Sequence, residues 1–340
     1  MKQKTRRILA LAALLTLLLA ACTAGPIELQ NPSTGLAEEV YLAENDKFEG
    51  RDKEAVDEIL AAFETALSTK DVAPLMQYVD ESFTATEADL KDFFEGITEG
   101  DVTHTAYDWY YVRGLRDSAT PVVVKKTAQE ETSLRVIPAS GELFVALYAS
   151  ETEAPIKTML SLMCAKKGGK WSLVWIDISD WCLNGEDANA LYVRAKAAYD
   201  EGKVLPAFLL AQMTANIATP GNILCYPNSD AIEEFVYQVI GEGLKDYPLP
   251  MELDNVGVTL RSVATSKTQD GVVPMFFYST KTPLSDKKAL AQEAKKVYNA
   301  IEAIFPGTTQ EFPTAEFRMT NADPEVDENF DFETVVITMN

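Results

Sequence analysis

The chain reads as an α+β protein: helices packed on a curved, cone-like antiparallel sheet, a helical connector, and a second small α+β domain with β-β-α-β-β order. Three observations predict it. Apolar residues recur at helical spacing in three successive segments before Gly100. After Gly100 they give way to runs rich in β-branched and aromatic residues. Paired helical segments near 189–221 then separate those strands from a second, shorter set of strand and helix patterns.

The first helical segment covers 55–67, AVDEILAAFETAL, and sets Val56, Ile59, Leu60, Phe63 and Leu67 on one face. Lys70 and Asp71 break that run, and Asp71 is placed to cap a second helix bearing Val72, Leu75, Met76 and Val79. A third helix starts at Thr86 and Asp89, spaced as in a capping box, and carries Leu90, Phe93, Phe94 and Ile97. Strands are predicted over 103–113, 120–127, 142–149, 156–165 and 170–178. The last two flank KKGGK, whose glycine pair suits a tight hairpin turn. The segment 189–221 breaks at Glu201 and Gly202 into two helices, and 229–244 makes another that Pro248 and Pro250 end. One helical pair is short of the roughly three repeats a solenoid needs, so it reads as a packed connector. Strands at 256–264 and 272–279 join across Gln269, Asp270 and Gly271; a long helix covers 285–305; strands at 312–319 and 332–339 follow. That order implies a small antiparallel sheet with one helix across it.

Two stretches carry a family likeness. EILAAFETALSTKDVAPLMQYVDESF joins two helices at Lys70 and Asp71 and runs on through Tyr78 to Phe83, and CAKKGGKWSLVWIDIS is a hairpin closing on a tryptophan-bearing strand. On these, residues 53 to about 182 resemble the nuclear-transport-factor-two-like fold, the cone shared with ketosteroid isomerase. The resemblance implies a pocket more than a task. The isomerase uses an aspartate base with a tyrosine and a protonated aspartate. No spacing ties Asp108 or Asp177 to those positions, so isomerase chemistry does not carry over.

The amino terminus gives an address. Lys2, Lys4, Arg6 and Arg7 precede an apolar run, 8–21, interrupted only by Thr16. At about 1.5 Å per residue that run spans roughly 21 Å, short of the ~30 Å hydrocarbon core and suited to a secretory signal. Leu19-Ala20-Ala21-Cys22 resembles the bacterial lipoprotein signal, the lipobox. In that family the cysteine thiol carries a diacylglycerol and the signal is cut just before it. Acyl chains at ~0.8 kcal/mol per buried methylene would hold the chain on a bilayer. The expected division is a signal over 1–21, a flexible tether over 22–52, a cone-like domain over 53–183, the helical connector over 184–247 and the second α+β domain over 248–340. The expected place is the extracytoplasmic face of the cell membrane, with lipid on Cys22 as the link.

Charge and composition exclude several partners and chemistries. The chain carries 30 basic and 52 acidic residues. Loss of 1–21 leaves a balance of −26, a field that repels nucleic acid and anionic lipid headgroups. His104 is the single histidine, which removes histidine-based triads and two-histidine zinc sites. No CxxC occurs, and Lys167-Gly168-Gly169-Lys170 is a turn rather than a phosphate loop. In 321–333, Asp327, Asn329 and Asp331 alternate as in a calcium loop, but Phe332 stands where the loop glycine belongs and Thr338 where its last glutamate belongs. The segment reads as a solvated acidic loop, and no metal or cofactor is expected. Of the three later cysteines, Cys164 and Cys182 are the expected pair if any disulfide forms; buried free thiols are the alternative.

The candidate ligand-binding residues lie in two strands. Alternation sets Tyr107, Trp109 and Tyr111 on one strand face and Asp108 and Tyr110 on the other. Rings with polar tips can hold an apolar ligand while offering a hydrogen bond; they can equally fill the core between helices and sheet. Asp177, in the apolar LVWIDI, is the carboxylate whose burial would matter most. No residue is assigned as catalytic. The expected role is a non-catalytic envelope lipoprotein that binds a small apolar ligand or an envelope protein. The alternatives are an envelope assembly or structural protein, and a lipid-anchored enzyme using a carboxylate in the cone.

Overall fold

Helix α1 (Gly50–Thr69) buries Val56, Ile59, Ala62, Phe63, Ala66 and Leu67, the stripe that 3.6-residue spacing singles out. The computed structural model describes residues 41–43, 48–97, 102–115, 122–125, 133–226, 228–324 and 330–339, all within one compact unit, 36–340. Lys70 ends α1 in the left-handed conformation, its N–H on Ala66 O. Asp71 Oδ1 then accepts from Ala73 N–H at 3.2 Å and opens α2 (Ala73–Met76). That helix lasts one turn, shorter than 72–79, because Val79 forms a bridge with Leu173 and Asp80 N–H bonds Leu173 O at 2.8 Å. Thr86 and Asp89 form the capping box of α3 (Glu87–Ile97): Thr86 N–H donates to Asp89 Oδ2 at 2.9 Å and Asp89 N–H to Thr86 Oγ1 at 3.2 Å.

These helices pack on one face of a five-stranded antiparallel sheet. Its strands are β1 (Tyr41–Ala43), β2 (Thr103–Arg113), β5 (Glu142–Glu151), β6 (Ile156–Lys167) and β7 (Lys170–Leu183), side by side in the order β1-β2-β5-β6-β7. The tether is therefore shorter than 22–52. Residues 41–43 pair with β2 as an edge strand, and Phe48 is buried with the rings of Tyr111, Phe144 and Trp171 centred 4.6, 5.1 and 5.8 Å away. Burying that ring against three others ties Phe48, two residues before α1, to the sheet.

The second face of this sheet is covered too. A three-stranded sheet, β3 (Val122–Lys125), β4 (Ser133–Val136) and β8 (Leu224–Cys225), shares a core with Val112, Leu143, Val145, Leu147, Met159 and Met163. This is why β5 is buried along nearly its whole length. The expected strand at 120–127 is represented by β3, and residues 126–132 lie outside the described ones.

Helices α4 (Ala188–Asp200), α5 (Val204–Asn216) and α6 (Ser229–Gln238) contribute to a third core, which they share with a second five-stranded sheet and α7 (Lys287–Ile304). Helix α6 passes into a π-type turn at Val239–Gly243, so the run expected to Leu244 is not continuous α-helix. The second sheet is built from β9 (Met251–Leu253), β10 (Val258–Thr268), β11 (Gly271–Ser279), β12 (Thr314–Thr320) and β13 (Glu333–Thr338), ordered β13-β12-β11-β10-β9. It is not wholly antiparallel. β11 and β12 run parallel, because α7 carries the chain across the sheet face between them.

No disulfide joins Cys164 to Cys182: Cys164, Cys182 and Cys225 are buried free thiols. Cys164 faces Leu173 across β6 and β7, and Cys182 faces Lys157, seven residues earlier on β6. At ~3.3 Å per residue they stand roughly 23 Å apart, far beyond disulfide reach. Burial pushes the Cys164 thiol well above its ordinary pKa.

Candidate functional site

Strand β7 departs from simple alternation twice. Pairing with β6 skips one residue at Val174 and another at Trp181, so each is the extra residue of a bulge. Between the bulges Trp175, Asp177 and Ser179 face Met163, Ser161 and Met159 of β6, on the side away from the helices. Ile176 and Ile178 take the helix side. The first bulge is what turns Trp175 and Asp177 toward the small sheet.

A turn at Pro220–Asn222 presses on the same side. Gly221 has φ +61°, and a Cβ built on it would lie 3.1 Å from Ser161 Cβ. Ser161 Oγ donates to Gly221 O at 2.6 Å, and Ser179 Oγ to Thr219 O at 3.4 Å. Glycine is needed here both for the backbone conformation and for the close approach. Arg135 N–H bonds Ile223 O at 2.7 Å, which joins β4 to the end of the turn.

Between these elements lies a cleft of about 390 Å³. Met163, Trp175 and Asp177 form its floor. Arg135, Val136 and Ile137 line one wall, and Thr219, Asn222 and Ile223 the other. Its volume falls in the range of small-molecule sites. Most of the lining is apolar, with a few polar groups converging. Asp177 Oδ1 accepts from Ile178 N–H at 2.8 Å and Oδ2 from Asn222 Nδ2 at 2.9 Å, so the carboxylate is held by the protein's own donors. Trp175 Nε1 is enclosed without a hydrogen-bond partner. Arg135 is exposed and makes no ion pair with a described acid.

The residues singled out from sequence do not converge. Cys22 lies outside the described residues. A bulge between Ala106 and Asp108 makes Tyr107 an extra residue of β2, so Tyr107 does not share a face with Trp109 and Tyr111. Its ring meets Trp181, which packs with the second-face core, and it is 52 % exposed. Trp109 stacks on Phe144 with centroids 5.3 Å apart on the helix side. Tyr111 is 4 % exposed in that same core. Its hydroxyl donates to Glu142, within a clasp where Lys166 Nζ lies 2.7 Å from Asp52 Oδ2 and 3.6 Å from Glu142 Oε1. Burial, reinforced by Glu142, pushes the Tyr111 phenol above its ordinary pKa. Asp108 accepts from Trp109 N–H and from the Tyr110 hydroxyl, each at 2.8 Å. Of the five candidates among the described residues, Asp177 alone lines the cleft.

His104 is buried, its Nε2 3.0 Å from Thr158 Oγ1, and burial lowers its pKa. Among the described residues no group of three His, Cys, Asp or Glu side chains could hold a metal ion, and no helix is long and apolar enough to cross a membrane.

Sequence reasoning missed Arg135, Trp175 and Asn222 as members of one site. A signal for it was present. LFVALYA and MLSLMCA are apolar at consecutive positions, and a strand apolar on both faces requires a cover on each. The cover for the second face, SLRV at 133–136, is too short to stand out by pattern.

No protein-family model matches the chain, and no curated protein matches it. Among solved structures, a Nostoc punctiforme protein of unknown function with a cystatin-like fold aligns at 12 % identity and a TM-score of 0.24, covering 39 % of this chain and 93 % of that one. The likeness is too slight to carry fold or function across.

Proposed function

We propose that the protein is a lipid-anchored binding protein of the bacterial cell envelope, held by Cys22 and presenting the cleft beneath β4 to a small, largely apolar ligand. The cleft carries this reading: a largely apolar lining and a volume of about 390 Å³. The helix side of the sheet supports it by contrast. There Phe48, Phe63, Phe94, Phe144, Tyr148 and Trp171 pack against one another, and the polar tip of Tyr111 is spent on a structural clasp. An enzymatic cone needs room at that place. Three helices on one face of an antiparallel sheet support the nuclear-transport-factor-two-like reading, with the ligand on the opposite face from the usual cone pocket.

Native purification from membranes followed by intact-mass spectrometry tests the reading. The expected species begins at Cys22, carries acyl chains and releases a small molecule on denaturation. Cys22→Ala is expected to leave the membrane fraction. A soluble wild-type chain retaining residues 1–21 would overturn the anchor.

An assembly role has one observation of its own. β13 is an open edge with Val336 52 % and nearby Phe332 47 % exposed, a geometry that accepts a further strand. Cross-linking in intact cells that captured a stable protein partner at β13 would favour it.

A further inference from the structure

Strand β13 ends the second sheet, and no described strand pairs with its outer side. Backbone alternation fixes which groups are left over. Met339 N–H donates to Pro313 O at 2.8 Å, so the odd-numbered residues of this segment turn their backbone groups toward β12. The register with β12 runs without a bulge, so Thr334, Val336 and Thr338 turn their N–H and C=O groups outward. Their side chains stand on the sheet face away from α7, since Val335, Ile337 and Met339 pack into the core that α7 shares. All three are exposed, Val336 at 52 %.

Proteins blunt an edge of this kind with lysine, proline, a bulge or brevity. Such devices stand at other edges here. β9 is three residues long and follows Pro248 and Pro250, and β7 is broken by bulges at Val174 and Trp181. From Thr334 to Thr338, TVVIT, β13 carries no lysine, proline or bulge. It is uncharged and β-branched throughout, a composition that pairs well across strands.

The segment is also complementary to itself. Two copies running antiparallel about a two-fold axis at Val336 set Val336 on Val336, Thr334 on Thr338 and Val335 on Ile337. This register meets both constraints: outward backbone groups meet outward ones, and each side chain keeps its own face of the sheet. No like charges are opposed. At ~3.4 Å per residue the two Glu333 carboxylates lie roughly 20 Å apart, beyond the ~8 Å screening length. The neighbouring register, centred on Val335, would set Glu333 against Ile337. We propose that β13 pairs with β13 of a second copy of this chain, joining two sheets into one. This deepens the assembly reading, on which it rests, and is independent of the cleft.

Sedimentation velocity of the full chain in mild detergent, over about 1 to 100 μM, is expected to show a monomer–dimer equilibrium. Val336→Lys sets two ammonium groups against each other at the axis and is expected to weaken the dimer about tenfold or more. Val336 is exposed, so V336K retains the wild-type melting curve. Val336→Cys is expected to gain, on mild oxidation, a disulfide-linked dimer absent from wild type. Thr334→Cys gains none, because at ~3.4 Å per residue the two-fold holds its copies roughly 14 Å apart. A dimer that V336K leaves intact, or one that T334C links and V336C does not, overturns the proposal. A photo-cross-linker at position 336 in intact cells is expected to capture a second copy. Capture of a different protein overturns self-pairing and leaves the assembly reading standing. A monomeric chain that captures nothing removes both.

Discussion

Asp80 shows how one side chain can hold a loop to a hairpin. Its carboxylate accepts from Ser82 N–H at 2.9 Å, Lys167 Nζ at 2.9 Å and Ser172 Oγ at 3.1 Å, besides the Ser82 hydroxyl. Burial alone would raise its pKa, but these donors together hold the carboxyl far below the usual carboxylate range. A depressed folded-state pKa stabilises the fold above the unfolded value of about 3.9, and that contribution is lost as pH falls below it. Asp80→Asn is therefore expected to cost about 2 kcal/mol at pH 7. The gap between wild type and variant should narrow from pH 7 to pH 2 without closing, because the folded-state carboxyl still holds its charge over most of that range; urea unfolding at the two pH values measures it. Equal stability of the two chains at pH 7 would contradict this account. In the sequence, Asp80 is one acid among many in YVDESF, and nothing local marks it, because its partners Lys167 and Ser172 come from 87 and 92 residues away.

At the scale of elements, bulges and one glycine decide where side chains go. The extra residues Tyr107, Val174 and Trp181 each shift the alternation downstream by one, so a face assignment made by counting in twos fails beyond them. Trp109 and Tyr111 keep their shared face because both follow the bulge in β2. The turn at Gly221 is equally specific. Gly221→Ala would combine a left-handed backbone with a contact of 3.1 Å to Ser161 Cβ. The expected loss is about 1–3 kcal/mol, seen as a lower urea midpoint, with helix content by circular dichroism unchanged. An unaltered midpoint would mean that the turn yields easily and does not set the cleft wall. The helices were legible because stripe, breaker and capping box sit within a few residues of one another. The cleft was not, because its walls come from β4, β7 and the 220–222 turn, which only tertiary pairing unites.

Across the whole molecule, Asn184 links the two large sheets. Its Nδ2 donates to Val272 O at 2.8 Å and its Oδ1 accepts from Val272 N–H at 2.7 Å, so one side chain serves both backbone groups of a β11 residue. Lys267 pairs with Asp180 close by. Gly271 is required at the contact, since a Cβ there would meet Asn184 Oδ1 at 2.3 Å. Asn184→Ala leaves both Val272 groups without their partner. Hydrogen exchange at the Val272 amide is expected to quicken by about tenfold or more, while amides of α1 hold their protection. Exchange at Val272 that stayed slow would place the link elsewhere. By itself the sequence determined the α+β class, the helices α1 and α3 with the capping box that opens α3, the β6–β7 hairpin, and the exclusion of histidine-rich chemistry, since each depends on spacing or composition within a short window. Only the tertiary structure decided the parallel pairing of β11 with β12, the separation of Cys164 from Cys182, the splitting of Tyr107 from its neighbours and the gathering of Arg135, Trp175 and Asp177. Those depend on strand register and on which surface covers which, and contacts between residues far apart in the chain leave no periodic trace along it.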